Sequence, residues 1–331
     1  GDRAATRIGL VVSNPPYALM PVDPQNRFGS VDAPVVDGSG RLVVYETPDS
    51  PGEIAVLDVD RGIVDRLYPE LGGGRWRVSR DASTLVYPRG YSALAFLDLA
   101  SKATVFRPYL PLGEIDRGGR RMTFLDYVPG ADSDSELRQV FLYDGELLEL
   151  RQVTTFDASS SMRGRSTPVI SGDGATIAFG ANRPFHVYAY DVASRELRDL
   201  AVLMSNAPFD RPSISDDGRW LAFVTRTAAQ PDLFTGVVVD LTTGDFEPPI
   251  PALEGFRTVD TVITPDGRYE VISAAADLDP AVGNADGNTE LFRYHRESGA
   301  FTQITDTVGQ ALVAYSPSID DDGSAAAFFM Q

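Results

Sequence analysis

The chain of 331 residues contains no cysteine, which excludes disulfides, thiolate metal sites and thiol nucleophiles together. Histidine is nearly as scarce. The two copies, His186 and His295, belong to different repeats and cannot supply a cluster of imidazole ligands. No apolar run approaches the roughly 18 residues that a membrane-spanning helix needs; the longest lies around Ile8–Val12. Helical periodicity is missing throughout. So is the Gly-x-Ser-x-Gly elbow of a serine hydrolase, and no helix follows the glycine run at Leu71–Gly74 to make it a phosphate cradle. Positive charge is the last shortage. With 29 Lys and Arg against 47 Asp and Glu, the net charge is −18, a surface that repels phosphate backbones and argues against nucleic acid as a partner.

What remains is an ordinary globular composition, 43% hydrophobic and 23% charged. The lack of thiols, and an opening residue that is Gly1 rather than Met, fit an exported, processed protein of the periplasm or cell surface. A repeat dominates the chain. Thr167–Phe179, Arg211–Phe223 and Ser316–Phe328 each read Pro-x-Ile-Ser/Asp-x-Asp-Gly followed by an apolar strand. Weaker copies begin at Pro34, Arg77 and Val262, and the most degraded spans Glu114–Gly119. Pro opens a short inner strand, where its missing N–H costs little. Asp-Gly supplies a tight hairpin turn, and the following run, such as Trp220–Val224, is apolar enough to be buried on both faces. Third strands are expected at 54–59, 93–99, 139–143, 186–192, 235–241 and 289–295, each followed by a turn and a fourth strand.

Four antiparallel strands per unit define a propeller blade. The turn residues Gly40, Ala82, Gly119, Gly174, Gly218, Gly267 and Gly323 recur at about one blade's length, ~40–55 residues. Only a second strand fits after Gly323, so the last unit is completed from the other end of the chain. The reading is a single all-β domain over residues 1–331: a seven-bladed propeller whose closing blade combines 1–32, with strands at 7–12 and 17–22, and 316–331. The alternative is six blades, if the Glu114–Gly119 copy does not open a blade.

The Pro-x-Ile-Ser-x-Asp-Gly-x-x-Leu-Ala-Phe phrase, with the unit endings Arg151–Thr154 and Phe301–Thr305, resembles the TolB-like, WD40-like propeller repeats, over nearly the whole chain. The resemblance implies the propeller fold. It leaves activity open, because such repeats occur in export-associated binding proteins, peptidase propeller domains and lyases. The α/β domain that precedes the propeller in TolB proteins has no counterpart expected here, since the first 32 residues are needed for the closing blade.

The recurring Asp81, Asp173, Asp217 and Asp266 read as turn caps rather than catalytic acids, since a residue type present in many units serves the unit. Two acidic loops break the regularity. The longer carries Asp277, Asp279, Asn284, Asp286, Asn288 and Glu290 around a glycine turn, oxygen ligands suited to Ca²⁺. The expected metal set is Asp277, Asp279, Asp286, Asn288 and Glu290, with a solvated acidic hairpin as the alternative. The shorter loop offers Asp132, Asp134 and Glu136. Both lie on the face where strand two passes to strand three, beside Phe209, Asp210, Arg211, Arg257 and Tyr315, the expected binding face. The functional expectation is a non-enzymatic binding or scaffold propeller of the bacterial cell envelope, recognising a protein or glycan through that face. The alternative is a carboxylate- or metal-dependent lyase or hydrolase acting at the channel mouth.

Overall fold

The computed structural model describes residues 7–12, 18–21, 34–47, 53–67, 76–89, 93–108, 110–127, 138–156, 167–181, 186–202, 210–226, 232–248, 250–256, 258–308 and 317–330. Four of the repeats share one self-satisfied turn. The hydroxyls of Ser79, Ser171, Ser215 and Thr264 donate to the aspartate two residues on, at 2.6–2.7 Å. The same aspartate oxygens accept the N–H groups of Ser83, Ala175, Arg219 and Arg268. Each hydroxyl oxygen in turn accepts the N–H that opens the next strand, at 2.9–3.0 Å. Asp81, Asp173, Asp217 and Asp266 are turn caps.

The strands assemble into antiparallel sheets, numbered here from the inner strand outward. Sheet I is Val35–Val36, Leu42–Glu46, Ile54–Asp58 and Ile63–Leu67; sheet II is Arg77–Val78, Thr84–Arg89, Ala93–Asp98 and Thr104–Pro108. Sheet III is Glu114–Ile115, Arg121–Tyr127, Arg138–Asp144 and Glu149–Gln152, so the most degraded copy of the repeat does open a sheet. Sheet IV is Val169–Ile170, Thr176–Ala181, His186–Asp191 and Leu197–Val202. Sheet V has three strands, Asp210–Ile214, Trp220–Thr225 and Thr235–Asp240. Sheet VI is Thr258–Ile263, Tyr269–Ala274, Glu290–His295 and Ala300–Gln303. In sheet VII, Ser318–Ile319 and Ala326–Met330 are joined by Arg7–Val12 and then Ala18–Pro21, with Arg7 opposite Met330 and Leu10 opposite both Ala327 and Met20.

Six sheets are complete at four strands, and six is the blade number of the alternative reading, although its condition is not met, since the Glu114–Gly119 copy opens sheet III. Sheet V departs from the four-strand expectation for a local reason. After its third strand the chain reads Glu247-Pro248-Pro249-Ile250-Pro251, and proline cannot donate to a ladder. Pairing stops at one bridge between Val239 and Phe246 and one bond from the Glu247 N–H to the Val238 carbonyl, 2.9 Å.

The core lies between sheets. Phe179 of sheet IV packs with Val140 and Leu142 of sheet III, Phe223 of V with Val169 and Val187 of IV, and Phe328 of VII with Val271 and Leu291 of VI. All three phenylalanines are fully buried; deleting such a ring costs ~3–5 kcal/mol. Val36 and Val43 of sheet I meet Ala325 and Ala327 of sheet VII, which brings the circuit back to its start. No helix among the described residues is long and apolar enough to cross a membrane.

Candidate functional site at the two ends of the axis

The residue after the Ser, Asp or Thr of each turn, the variable x of the repeat, is Gly38, Arg80, Arg117, Gly172, Asp216, Pro265 or Asp321. The structure brings these seven together around the axis. Backbone bonds link them from sheet to sheet: the Gly38 N–H to the Arg80 carbonyl (2.7 Å), Arg117 to Gly172 (3.0 Å), Asp216 to Pro265 (2.8 Å) and Asp321 to Gly38 (3.0 Å), while the Asp81 and Asp173 N–H groups reach Arg117 and Asp216. Across this ring Arg117 donates to both Asp216 and Asp321. Arg80 donates to Asp321 at 3.2 Å and to the carbonyls of Ile319 and Asp320. Hydrogen bonds to the two carboxylates push the Arg117 guanidinium above its ordinary range, whereas burial pulls that of Arg80 below it. The space is so full that a Cβ on Gly38 would fall 2.5 Å from Asp321 and one on Gly172 only 2.0 Å from Asp216. A larger residue at either position would have to displace the carboxylate. The turn end of the axis is thus plugged by an ion network that balances two arginines against two aspartates.

The loop end carries the predicted binding face. Asp210 and Arg211 lie in the inner strand of sheet V, where Asp210 pairs with Val224; Phe209, Arg257 and Tyr315 lie outside the described residues, as does the Asp132–Glu136 loop. What sequence reasoning missed is a recurring pair of side chains. Arg89 stacks on Phe106 at 4.7 Å in sheet II, Arg138 on Tyr127 at 5.2 Å in sheet III, and Arg226 on Phe234 at 4.8 Å in sheet V. All three arginines are exposed, and Phe106 and Tyr127 are nearly half exposed. Below the Arg226–Phe234 pair, the hydroxyls of Thr225, Thr235 and Thr258 are buried without hydrogen-bond partners.

The five expected metal ligands divide. Asp277 and Asp286 face solvent. Asp279 accepts the N–H groups of Ala281 and Gln303, and Asn288 donates to Thr307. Glu290 is buried, with one oxygen accepting the Thr305 hydroxyl and the other the Thr307 N–H and hydroxyl. Sheet III shows what this arrangement does. There Gln139 holds the equivalent place, accepting the Thr154 hydroxyl (2.6 Å) and the Phe156 N–H (2.9 Å), so a residue at the start of strand three fastens the segment leaving strand four. Among the described residues, no three His, Asp or Glu side chains are grouped to hold a metal ion. His186 pairs with Asp199 at 2.8 Å, and His295 accepts the Ser298 N–H while meeting the Tyr269 ring edge-on.

One buried carboxyl lies outside both ends. Glu270, between sheets V and VI, accepts the Thr261 hydroxyl, and a Cβ on Gly236 would stand 3.5 Å from it. Burial pushes it up to about 7, against the opposing effects of Thr261 and Arg296.

No model of a protein family matches the chain, and no curated protein does. Solved structures do. An oligogalacturonate lyase from Vibrio parahaemolyticus is 13% identical, with a TM-score of 0.62, over 100% of this chain and 97% of that one. An oligogalacturonate lyase in complex with manganese is 15% identical, TM-score 0.57, over 90% and 87%. A putative TolB from Agrobacterium tumefaciens is 15% identical, TM-score 0.54, over 99% and 98%. The chain has the TolB-like β-propeller fold; identities this low speak to fold alone.

Proposed function

We propose that the chain is a non-enzymatic binding propeller of the bacterial cell envelope that recognises a protein partner through its loop end. The observation that carries this reading is the set of exposed arginines laid on aromatic rings in sheets II, III and V. Arginine and aromatic side chains are the residues on which interfaces concentrate their energy, and stacking holds each guanidinium flat, so less freedom is lost on binding. The plugged turn end directs recognition to the same face. A net charge of −18 steers towards a neutral or basic partner and away from a polyanion. The lyases of similar fold supply no second reading at their level of identity.

The test is capture from a solubilised envelope fraction of the native cell. Wild type is compared with Arg89→Glu/Arg138→Glu/Arg226→Glu at the loop end and with Arg61→Glu/Arg120→Glu at the turn end. The proposal expects one protein to be retained by wild type and by the turn-end variant and lost from the loop-end variant. Retention by all three chains, or capture of glycan only, overturns it.

A further inference from the structure

On the outer rim, where sheet III meets sheet IV, lies a cleft of about 280 Å³. Leu142, Leu147 and Val192 form its apolar wall; Arg121, Arg151 and Arg195 form the charged one, with Asp144 and Glu149 between them. The junction of sheets V and VI shows why the space is open. Arg121 pairs with Asp144 as Trp220 pairs with Asp240, and the Val192 N–H bonds the Ala175 carbonyl as the Arg296 N–H bonds that of Arg268. Ala175 and Val192 thus stand where sheet VI carries Arg268 and Arg296. In that junction Arg296 covers the Trp220 ring at 3.9 Å and pairs with Glu247. Short side chains leave the same place empty between III and IV. Arg151 holds the position of Glu247, so the acid that neutralises one junction is a further guanidinium in the other.

Three guanidiniums here share two carboxylates. Arg121 is well paired, to Asp144 at 2.9 Å and to the Gly174 carbonyl at 3.0 Å. Arg151 donates to the Val192 carbonyl at 3.2 Å, to the Tyr190 hydroxyl and, from two of its nitrogens, to Glu149 at 3.3–3.4 Å. Arg195 lies 4.0 Å from the same carboxylate, with 64% of its side chain exposed. Arg195 has φ of 63° at the turn position that Gly62, Gly244 and Gly299 occupy elsewhere, a left-handed position that Lys102 and Leu148 also fill, with φ of 62° and 53°. Left-handed backbone disfavours any residue with a Cβ.

We propose that this cleft binds a small organic anion, its phosphate or carboxylate group held by Arg151 and Arg195 and its apolar body against Leu142, Leu147 and Val192. Guanidinium forks match the oxygens of both groups. The experiment is calorimetric titration of the whole chain with phenyl phosphate, benzoate and inorganic phosphate at constant ionic strength. Saturable binding of an aromatic anion at millimolar concentration or below is expected, with inorganic phosphate weaker. Arg195→Gly suits the left-handed turn, so it is expected to keep or raise the melting temperature while weakening binding roughly tenfold or more. Ala175→Arg restores the side chain of sheet VI and is expected to abolish binding. No saturable binding of either aromatic anion, or full affinity in Arg195→Gly, overturns the site. Equal affinity for phenyl phosphate and inorganic phosphate overturns the role of the apolar wall.

Discussion

At the turn end of the axis the same hydrogen bonds recur around Ser79, Ser171, Ser215 and Thr264, and the one position left free inside that frame carries the charges that cross the ring. At the loop end the connections differ from sheet to sheet, and exposed arginines lie over aromatic rings in three of them, as Arg219 and Arg268 do beside the turns. One repeat has therefore produced two ends of different construction. Where the backbone frame repeats strictly, Arg80, Arg117, Asp216 and Asp321 are aimed at one another across the ring. Where the backbone varies, side chains are aimed outward, and these are the ones that the proposed function assigns to recognition.

If this division holds, substitutions in the sheet junctions and at the turn end change stability, in either direction, and those at the loop end change it little. The largest effect is expected at Glu270. Its folded value of about 7 exceeds the ordinary 4.5, so below pH 4.5 both states hold the proton and there is no penalty. Between 4.5 and 7 the folded chain keeps a proton that the unfolded chain releases, and stability falls as pH rises, by on the order of 3 kcal/mol in all. Glu270→Gln should remove that slope and be the more stable chain at pH 8, as read from urea unfolding across the pH range. An unchanged slope would assign the pH dependence to other groups. Next comes Arg117→Met, which leaves Asp216 and Asp321 facing each other across the axis. Because these groups are about a third exposed, solvent screening holds the loss to about 1–2 kcal/mol, and it should shrink in about 1 M salt. A chain that unfolds at the wild-type urea concentration would show that the plug does not brace the ring. The smallest effect belongs to the loop end. Glu290→Gln should cost less than about 1 kcal/mol in chelator, since Gln139 does the same work in sheet III. A melting temperature raised by millimolar calcium in wild type, but not in Glu290→Gln, would make this loop a cation site as well as a fastening.

The strand plan was legible because the repeat states it locally: the expected third strands at 93–99, 186–192 and 235–241 are Ala93–Asp98, His186–Asp191 and Thr235–Asp240. The ion plug was not read, although its signal was present. Aligning the turns places Arg80, Arg117, Asp216 and Asp321 in one column, and opposite charges in one column of a closed repeat must meet. The aromatic partners of Arg89, Arg138 and Arg226 lie across a strand or a loop from the arginines, at separations that change from sheet to sheet, so no spacing announced them. Nor does anything in the alternation of Tyr269–Ala274 mark Glu270 as buried. Its environment comes from Gly236 in another sheet.

Sheet VII gives the molecule a history in time. Its central pairing joins Arg7 to Met330, so a strand made early waits for one made much later. Until then sheet I stands beside an unfinished neighbour, and Ala326–Met330, once made, presents an open edge that any extended segment can join. Closing so long a loop is entropically costly and slow. Chaperones would act on this chain in that interval, and so would a second nascent copy, able to donate the same first strand in trans and lock two rings together.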